Sequence, residues 1–352
     1  MTPRPLFAVT RGRIVESVHY GSFAVVDSTG TLIASYGDPQ TVAFLRSSAK
    51  PFQLLPFVER GGVEHFGLRP RELALSCASH EGSAMHVQTV LGLQKKIGIE
   101  ECDLQCGTHM PGDMEELKTL IVHNRQPTPN HNNCSGKHTA MLAHAKMRGL
   151  PLESYLDIEH PIQQAVLTTF AEMCRLPVDQ VELGTDGCSA PNFGVPLFNA
   201  AFAFARFCDP RELEDGLASA CHTITSAMTT HPEMVSGYGE FDEQLMKVGM
   251  GKIVCKRGAE GYQIVGLLPG LRGAGSPGLG IAIKVSDGDA SRLGSGLEST
   301  NRVRPAVTIE ILRQLGVLSV EQEQALAGFG PEKSITNHRG IVTGRSHPVF
   351  KI

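Results

Sequence analysis

Tryptophan is absent from this chain, and so is any apolar run long enough to span a bilayer. The first absence excludes nothing about function. The second is informative. The longest apolar stretch, VPLFNAAFAFARF at 195–207, is broken by Asn199 and falls far short of the roughly 20 residues a membrane helix needs. It reads as a buried helix. No secretory leader is visible either: MTPRPLFAVTRGR holds only a five-residue apolar run, too short for the hydrophobic region of a signal peptide. The chain is therefore expected to be cytoplasmic. An excess of basic charge is also missing. With a net charge of -4 and a pI near 6.4, the chain carries no electrostatic footprint for nucleic acid or a membrane surface, and a small polar substrate suits it better. Its nine cysteines are scattered without a disulfide framework; in a reducing compartment they read as core thiols, catalytic groups or metal ligands. There is no regular βαβ alternation, no internal repeat and no Gly-x-Ser-x-Gly nucleophile elbow, which argues against dinucleotide-binding and α/β-hydrolase folds.

What is present is a chain that can bury a full core, with 41% apolar and 19% charged residues. Its 352 residues allow two domains or one large composite domain. The first forty residues alternate like strands, with Asp27-Ser28-Thr29-Gly30 as a hairpin turn. Helical spacing follows at about 48–59, 83–97, 113–123, 135–148, 161–175 and 211–229. Strands return from about 251 in KIVCK, GYQIVGLLP and GIAIKVSDG. The stretch VRPAVTIEILRQLG is helical, and the tail ITNHRGIVTGR offers a further strand. Strands, helices, then strands predict an α/β (α+β) fold. One antiparallel sheet, about 6–37 and 251–286 plus a C-terminal strand, would be built from both chain ends, with a helical block of about 47–250 packed over it. The expected organisation is a single composite domain over 1–352.

FLRSSAKPFQ, at 44–53, contains Ser47-Ser48-Ala49-Lys50. Positions three apart share a helix face, so Lys50 can stand beside the Ser47 hydroxyl. A serine is a poor nucleophile until a base removes its proton. A lysine can be that base only when neutral, which costs roughly 4 to 5 kcal/mol from its ordinary pKa near 10.4; burial or a second cation can supply the shift. Lys256, ending KIVCK before Gly258, is such a cation. Ser-x-x-Lys with a late-strand Lys-x-Gly recurs in penicillin-recognising acyl-transfer enzymes. Ser79 in SCASHEG joins the set, pairing Ser47 with Lys50 and Ser79 with Lys256. His80 adjoins Ser79 but faces the other way in an extended segment. The plainer alternative is that Ser47 merely caps a helix.

A second constellation lies in NHNNCSGKHTAML (130–142) and GTDGCSAPN (184–192). Cys134 and Lys137 stand three apart at a helix start, and Cys188 lies in a turn-rich loop beside Asp186. Two loop thiols suit a soft metal, zinc above all. Lys137, His138, His131 and Asp186 compete as further ligands, and separate packing or redox thiols remain the alternative. CDLQCGTHM, with His109, resembles no standard metal finger.

Taken in order, RSSAKPFQ, SCASHEG, CGTHMP, NNCSGKHTAML, TDGCSAPNF and KRGAEG resemble the rhizobial-type (class 3) L-asparaginases, the asparaginase II family, from about residue 8 to the C-terminus. The resemblance implies a fold similar to serine β-lactamases and glutaminases. It implies hydrolysis of L-asparagine to L-aspartate and ammonia by a homodimer. It also implies two Ser-Lys tandems, Ser47/Lys50 and Ser79/Lys256, and a Zn2+ held by Cys134, Lys137 and Cys188 with a water. Lys256 is matched only through the sequence KRGAEG. Arg46, beside Ser47, is a candidate to pair with a substrate carboxylate, a plain surface role being the alternative. His138 and Asp186, neighbours of the presumed ligands, are candidates to support them and the substrate.

Other patterns mislead. Gly273-Ala274-Gly275-Ser276-Pro277-Gly278 has the spacing of a phosphate loop but leads into a strand rather than a helix. STGTLIA bears a faint likeness to the Thr-Gly-Gly-Thr signature of classical bacterial asparaginases, yet reads as a turn and its outgoing strand. The functional rivals are another Ser/Lys amidohydrolase (a glutaminase or a β-lactamase-like enzyme), a Cys-nucleophile amidase, and an inactive zinc-binding sensor on the same scaffold.

Overall fold

In the computed structural model, which describes residues 2–288 and 302–352, the chain divides into two compact units, each assembled from separated stretches. The first takes Met1–Ala43, Val195–Asp209 and Cys255–Ile352; the second takes Phe44–Gly194 and Pro210–Val254.

The first unit is built on an antiparallel sheet fed by both ends of the chain. Its order is Lys333–Thr336, Val342–Pro348, Arg4–Arg11, Ile14–Asp27, Leu279–Val285, Tyr262–Leu267 and Ile253–Gly258. Leu32–Tyr36 pairs with the second half of Ile14–Asp27, setting Phe23 against Tyr36. The turn between those two strands is closed by Asp27, whose Oδ1 accepts from the Thr29 and Thr31 amides at 2.9 Å each. Ile14–Asp27 starts exposed and is buried without a break from Gly21 to Asp27. That loss of alternation marks a strand covered on both faces. The helix Leu197–Cys208 rests directly on the sheet: a Cβ on Gly280 would stand 1.8 Å from the Ala201 carbonyl oxygen. Gly280 lacks a side chain because the helix backbone needs the space, and its cross-strand neighbour Gly266 leaves room for the Cys208 and Phe204 side chains of the same helix. Val303–Gln314, buried over most of its length, packs on the same sheet.

The second unit is the helical block. Two helices run through it: Lys50–Glu59, buried at every position from Lys50 to Val58, and Ser135–Met147, buried from Ser135 to Ala145. Burial on all sides explains why neither shows the apolar stripe of a surface helix. Gly136 admits the end of the helix Pro70–Ser76, since a Cβ there would meet the Leu75 carbonyl oxygen at 2.3 Å. Phe52 meets Phe170 edge-on at 5.5 Å and so ties Lys50–Glu59 to the helix Pro161–Cys174. The strand Glu182–Thr185 pairs with the strand beginning at Pro191, with Thr185 opposite Pro191.

The expected α/β arrangement, an antiparallel sheet from both chain ends and a helical block, is the one observed. VPLFNAAFAFARF is a buried helix, and the Gly273–Gly278 loop does run into a strand. Several local features differ. The segment leading to Ser79 is not extended throughout, because the helix Pro70–Ser76 occupies its first part. The tail forms two strands rather than one, and the short helices Phe241–Val248 and Val320–Ala325 were not foreseen. No helix among the described residues is long and apolar enough to cross a membrane.

Candidate active site

Nine of the ten residues singled out from the sequence fall in the helical unit. Arg46 opens the site. It takes a left-handed backbone conformation, φ +53°, which costs a residue with a Cβ about 1 to 3 kcal/mol unless its surroundings impose it. They do. Its amide donates to Asn192 Oδ1 at 3.1 Å and its Nε to Asp186 Oδ1 at 2.6 Å. Immediately before it, the Leu45 amide donates to the Phe193 carbonyl at 2.9 Å. This turn throws the chain into a short 3₁₀ stretch, Arg46–Ala49, that leads into the helix at Lys50. Ser47 emerges partly exposed at this corner, whereas Lys50 points inward and is 1% exposed.

The Lys50 amine does not turn back to Ser47. It donates to the carbonyl of Ala78, to Ser79 Oγ at 2.9 Å and to the carbonyl of Asn133 at 3.4 Å. Three donors meet three oxygens, all uncharged. Ser79 is buried, its amide held by the Val235 carbonyl at 2.9 Å. His80 faces away from it as expected, with Nε2 2.9 Å from Ser135 Oγ and its ring stacked on His86. Lys256 belongs to the first unit, fully buried on the strand Ile253–Gly258, where its amine donates to the Arg257 carbonyl at 3.1 Å.

Beside Lys50 and Ser79 lie the two thiols. Cys134 caps the helix Ser135–Met147; its amide is fixed by Asn132 Oδ1 at 2.9 Å, and Asn132 is fixed in turn by the Cys106 carbonyl. Cys188 sits in a tight turn, with the Asp186 amide bonded to the Ala190 carbonyl and Ser189 at φ +71°. Lys137 Nζ donates to Cys188 Sγ at 2.9 Å. The two thiols also share a hydrogen bond, and they titrate in opposite directions. The hydrogen bond from Cys188 holds Cys134 well below the usual thiol range, helped by the charges of Lys50 and Lys137 against the opposing effect of burial. Cys188 keeps the proton it donates to Cys134, and burial raises it further. The pair therefore behaves as one thiolate and one thiol. Burial alone would lower the Lys137 ammonium, but the charges of Cys134 and Asp186, with the hydrogen bond to Cys188, outweigh it and push it up. For Asp186, burial pulls upward, while Lys137 and Arg46 win and lower it.

No three His, Cys, Asp or Glu residues among those described converge as a metal site, so a cation here needs Lys137 as its third donor. With two sulfurs and an amine already in mutual contact, and Cys134 held below the usual thiol range, the residues fit a soft divalent ion. Binding would displace the shared thiol proton and one proton of Lys137.

His138 is fully buried and turns toward Tyr155. The Tyr155 hydroxyl accepts from the Gln105 amide at 2.9 Å and shares a second hydrogen bond with His138 Nδ1 at 2.6 Å. Burial, followed by the charges of Lys137 and Lys50, holds this imidazole well below its ordinary value. Three supporting groups carried no sequence signal of their own: the Ala78 carbonyl, Asn192 and Asn133. Asn133 accepts from Lys50 through its carbonyl, and its side-chain amide lies 3.1 Å from Cys134 Sγ. His109, set aside as a metal ligand, accepts from the Asn133 amide at 2.9 Å and so steadies that loop. The Asn-rich run before Cys134 was the one available hint.

The profile of the family described as L-asparaginase II matches residues 7–348. Among solved structures, the Bacillus subtilis glutaminase YbgJ, in covalent complex with 5-oxo-L-norleucine, matches at 12% identity. That match covers 85% of this chain and 89% of that one, with a TM-score of 0.38. A β-lactamase from Mycobacterium bovis matches at 12% identity over 85% of this chain and 95% of its own, with a TM-score of 0.40. No curated protein matches.

Proposed function

The chain belongs to the L-asparaginase II family and is an amidohydrolase, and from that premise we propose that it hydrolyses L-asparagine to L-aspartate and ammonia. The observation that carries the reading is the buried amine of Lys50, 2.9 Å from Ser79 Oγ and three residues after the accessible Ser47.

Ser47 is the nucleophile in this proposal, because it is the serine a substrate can reach, while Ser79 is buried. Its Oγ attacks the side-chain amide carbon of asparagine, and its proton passes to Lys50 in the neutral state. Ser79, bonded to Lys50, relays that proton. The C–N bond breaks as the leaving nitrogen is protonated, giving ammonia and an aspartyl ester on Ser47. Water then cleaves the ester, returning the proton to Ser47. Lys256 is assigned to support this relay from its motif alone. Arg46 keeps guanidinium donors beyond the Nε bonded to Asp186 and pairs with a substrate carboxylate.

Cys134, Lys137 and Cys188 are proposed to hold zinc, whose chemistry when bound is a fixed positive charge for the polar end of the substrate. His138 and Asp186 hold the ligand-bearing segments in place. A homodimer in the cytoplasm completes the proposal, on the resemblance alone.

The test is ammonia release from L-asparagine and L-glutamine, and the colour change of nitrocefin for lactam opening, by the wild type, Ser47→Ala and Ser79→Ala. Activity confined to asparagine and abolished in Ser47→Ala supports the assignment. Loss in Ser79→Ala with retention in Ser47→Ala reverses the two serines. A wild type loaded with zinc but inert on all three substrates would leave a metal-binding sensor.

A further inference from the structure

Behind the amines of Lys50 and Lys137 lies a cavity of about 10 Å³, measured as the space open to the centre of a water molecule. That is room for roughly one water. Every residue lining it is buried, and most of the lining is apolar. Two polar atoms break that pattern. Gln53, 7% exposed, and His144, 2% exposed, both line the cavity, and Gln53 Oε1 and His144 Nε2 are buried without a hydrogen-bond partner among the described residues. Buried polar atoms of native proteins are nearly always satisfied, and an orphan of this kind costs about 1 to 3 kcal/mol. Two orphans on residues that line one water-sized space suggest a single remedy. Ser76 also lines the cavity. Its hydroxyl proton is given to the Glu72 carbonyl at 2.9 Å, which leaves its lone pairs free to accept.

We infer that one ordered water fills this cavity, bonded to Gln53 Oε1, His144 Nε2 and Ser76 Oγ, and that Gln53 and His144 act through it as positioning residues for the amide hydrolysis proposed above. The inference rests on that reading for its catalytic part only.

The placement explains why such a water matters. Gln53 is on the helix that delivers Lys50, His144 is on the helix that delivers Lys137, and Ser76 ends the helix that leads to Ser79. The same Gln53 amide donates its Nε2 to the Pro191 carbonyl at 3.2 Å, three residues beyond Cys188. One glutamine and one water thus fasten all four segments. Burial lowers the His144 imidazole to about 4, so at neutral pH the ring is uncharged; because Gln53 Oε1 and Ser76 Oγ take both protons of the water, Nε2 carries the ring proton and donates to it.

A crystal structure of the full chain at about 1.5 Å would show the water directly, at hydrogen-bonding distance from the three atoms. Kinetics of Gln53→Met, His144→Phe and the double variant test the positioning. Each single change should lower kcat by about three- to tenfold with a smaller effect on KM, and the double variant should be no worse than the singles. His144→Gln, which keeps a polar nitrogen, should recover most of the loss. An empty cavity in the electron density overturns the inference, as do single effects that multiply in full. A wild type that releases no ammonia would sink the amidase reading, while the density would still decide the water. Far-ultraviolet circular dichroism of each variant separates misfolding from loss of position.

Discussion

Lys50 and Lys137 invite comparison because they are alike in so much. Both are buried, 1% and 3% exposed, both stand near the start of a buried helix, and both reach into the same pocket. Their neighbours differ. Lys50 gives its hydrogen bonds to uncharged oxygens, two backbone carbonyls and the Ser79 hydroxyl, and only the hydroxyl could give a proton back. Lys137 meets sulfur, with the Cys134 thiolate and Asp186 close by, and these charges keep its proton on. A buried lysine is thus either a base in waiting or half of an ion cluster, and its partners decide which. The cluster around Lys137 is the one a cation could enter, replacing protons with a metal while the anionic thiolate stays.

The largest expected effects come from breaking the two lysines separately. Lys50→Met should cut kcat by about 10²- to 10⁴-fold, the usual worth of a positioned base, and added zinc should not restore it. Lys137→Met should instead weaken zinc binding by at least about 10- to 100-fold, since disturbing even a group that only supports a ligand costs that much. It should raise KM more than it lowers kcat. The Lys137 variant carries a second signature. Without the ammonium, Cys134 loses part of the charge that keeps it ionised, so thiolate absorbance near 240 nm should fall in metal-free protein at neutral pH. If both variants fail in the same way, in kcat alone or in zinc content alone, the division of labour between the lysines is wrong.

Much of this site was readable beforehand because its chemistry is local. Ser47 with Lys50, and Cys134 with Lys137, are pairs three residues apart that a sequence displays as motifs, although Ser47 and Lys50 point apart in the fold. The sheet was readable for a similar reason: its strands alternate or run apolar, and Asp27 to Gly30 has a turn composition. What the sequence hid was reach across the fold. Lys50 passes over Ser47 to Ser79, 29 residues away, and two of its three acceptors are backbone carbonyls, which every residue possesses and no motif announces. The helix Pro70–Ser76 was missed because seven residues give scarcely two turns of periodicity. Gln53 and His144 had no signal at all; only the cavity between their helices makes them a pair.

A smaller effect extends the comparison to the imidazoles packed around the lysines. His80, His138 and His144 are all held below their ordinary value, chiefly by burial, His144 to about 4. Each is neutral in the folded protein and takes up a proton on unfolding once the pH drops below about 6.5. The unfolded state then binds more protons, so stability present above pH 6.5 is lost as the pH falls toward the folded values. For His144 alone the loss by pH 5 is on the order of 2 kcal/mol. Urea unfolding at pH 7.5, 6 and 5 should show a steady decline, and His144→Phe should flatten part of it. Stability that is level from pH 7 to 5 would mean these rings are not buried as neutral species.

The smallest expected change is at Arg46, and it separates strain from chemistry. The left-handed φ of +53° disfavours arginine, so Arg46→Gly should recover about 1 kcal/mol of backbone strain. It also gives up the 2.6 Å bond to Asp186, which is partly exposed on the arginine side and therefore screened. The two terms nearly cancel, and the unfolding free energy should move by less than about 1 kcal/mol. If Arg46 holds a substrate carboxylate, KM should still rise by about 10- to 100-fold, the worth of a charged hydrogen bond, with kcat little changed. Arg46→Lys keeps the charge but neither the fork nor the relief of strain, so it should lie between the two in KM and below the wild type in stability. A glycine variant with unchanged KM would assign Arg46 to the architecture of the turn, holding Ser47 at its corner without touching the substrate.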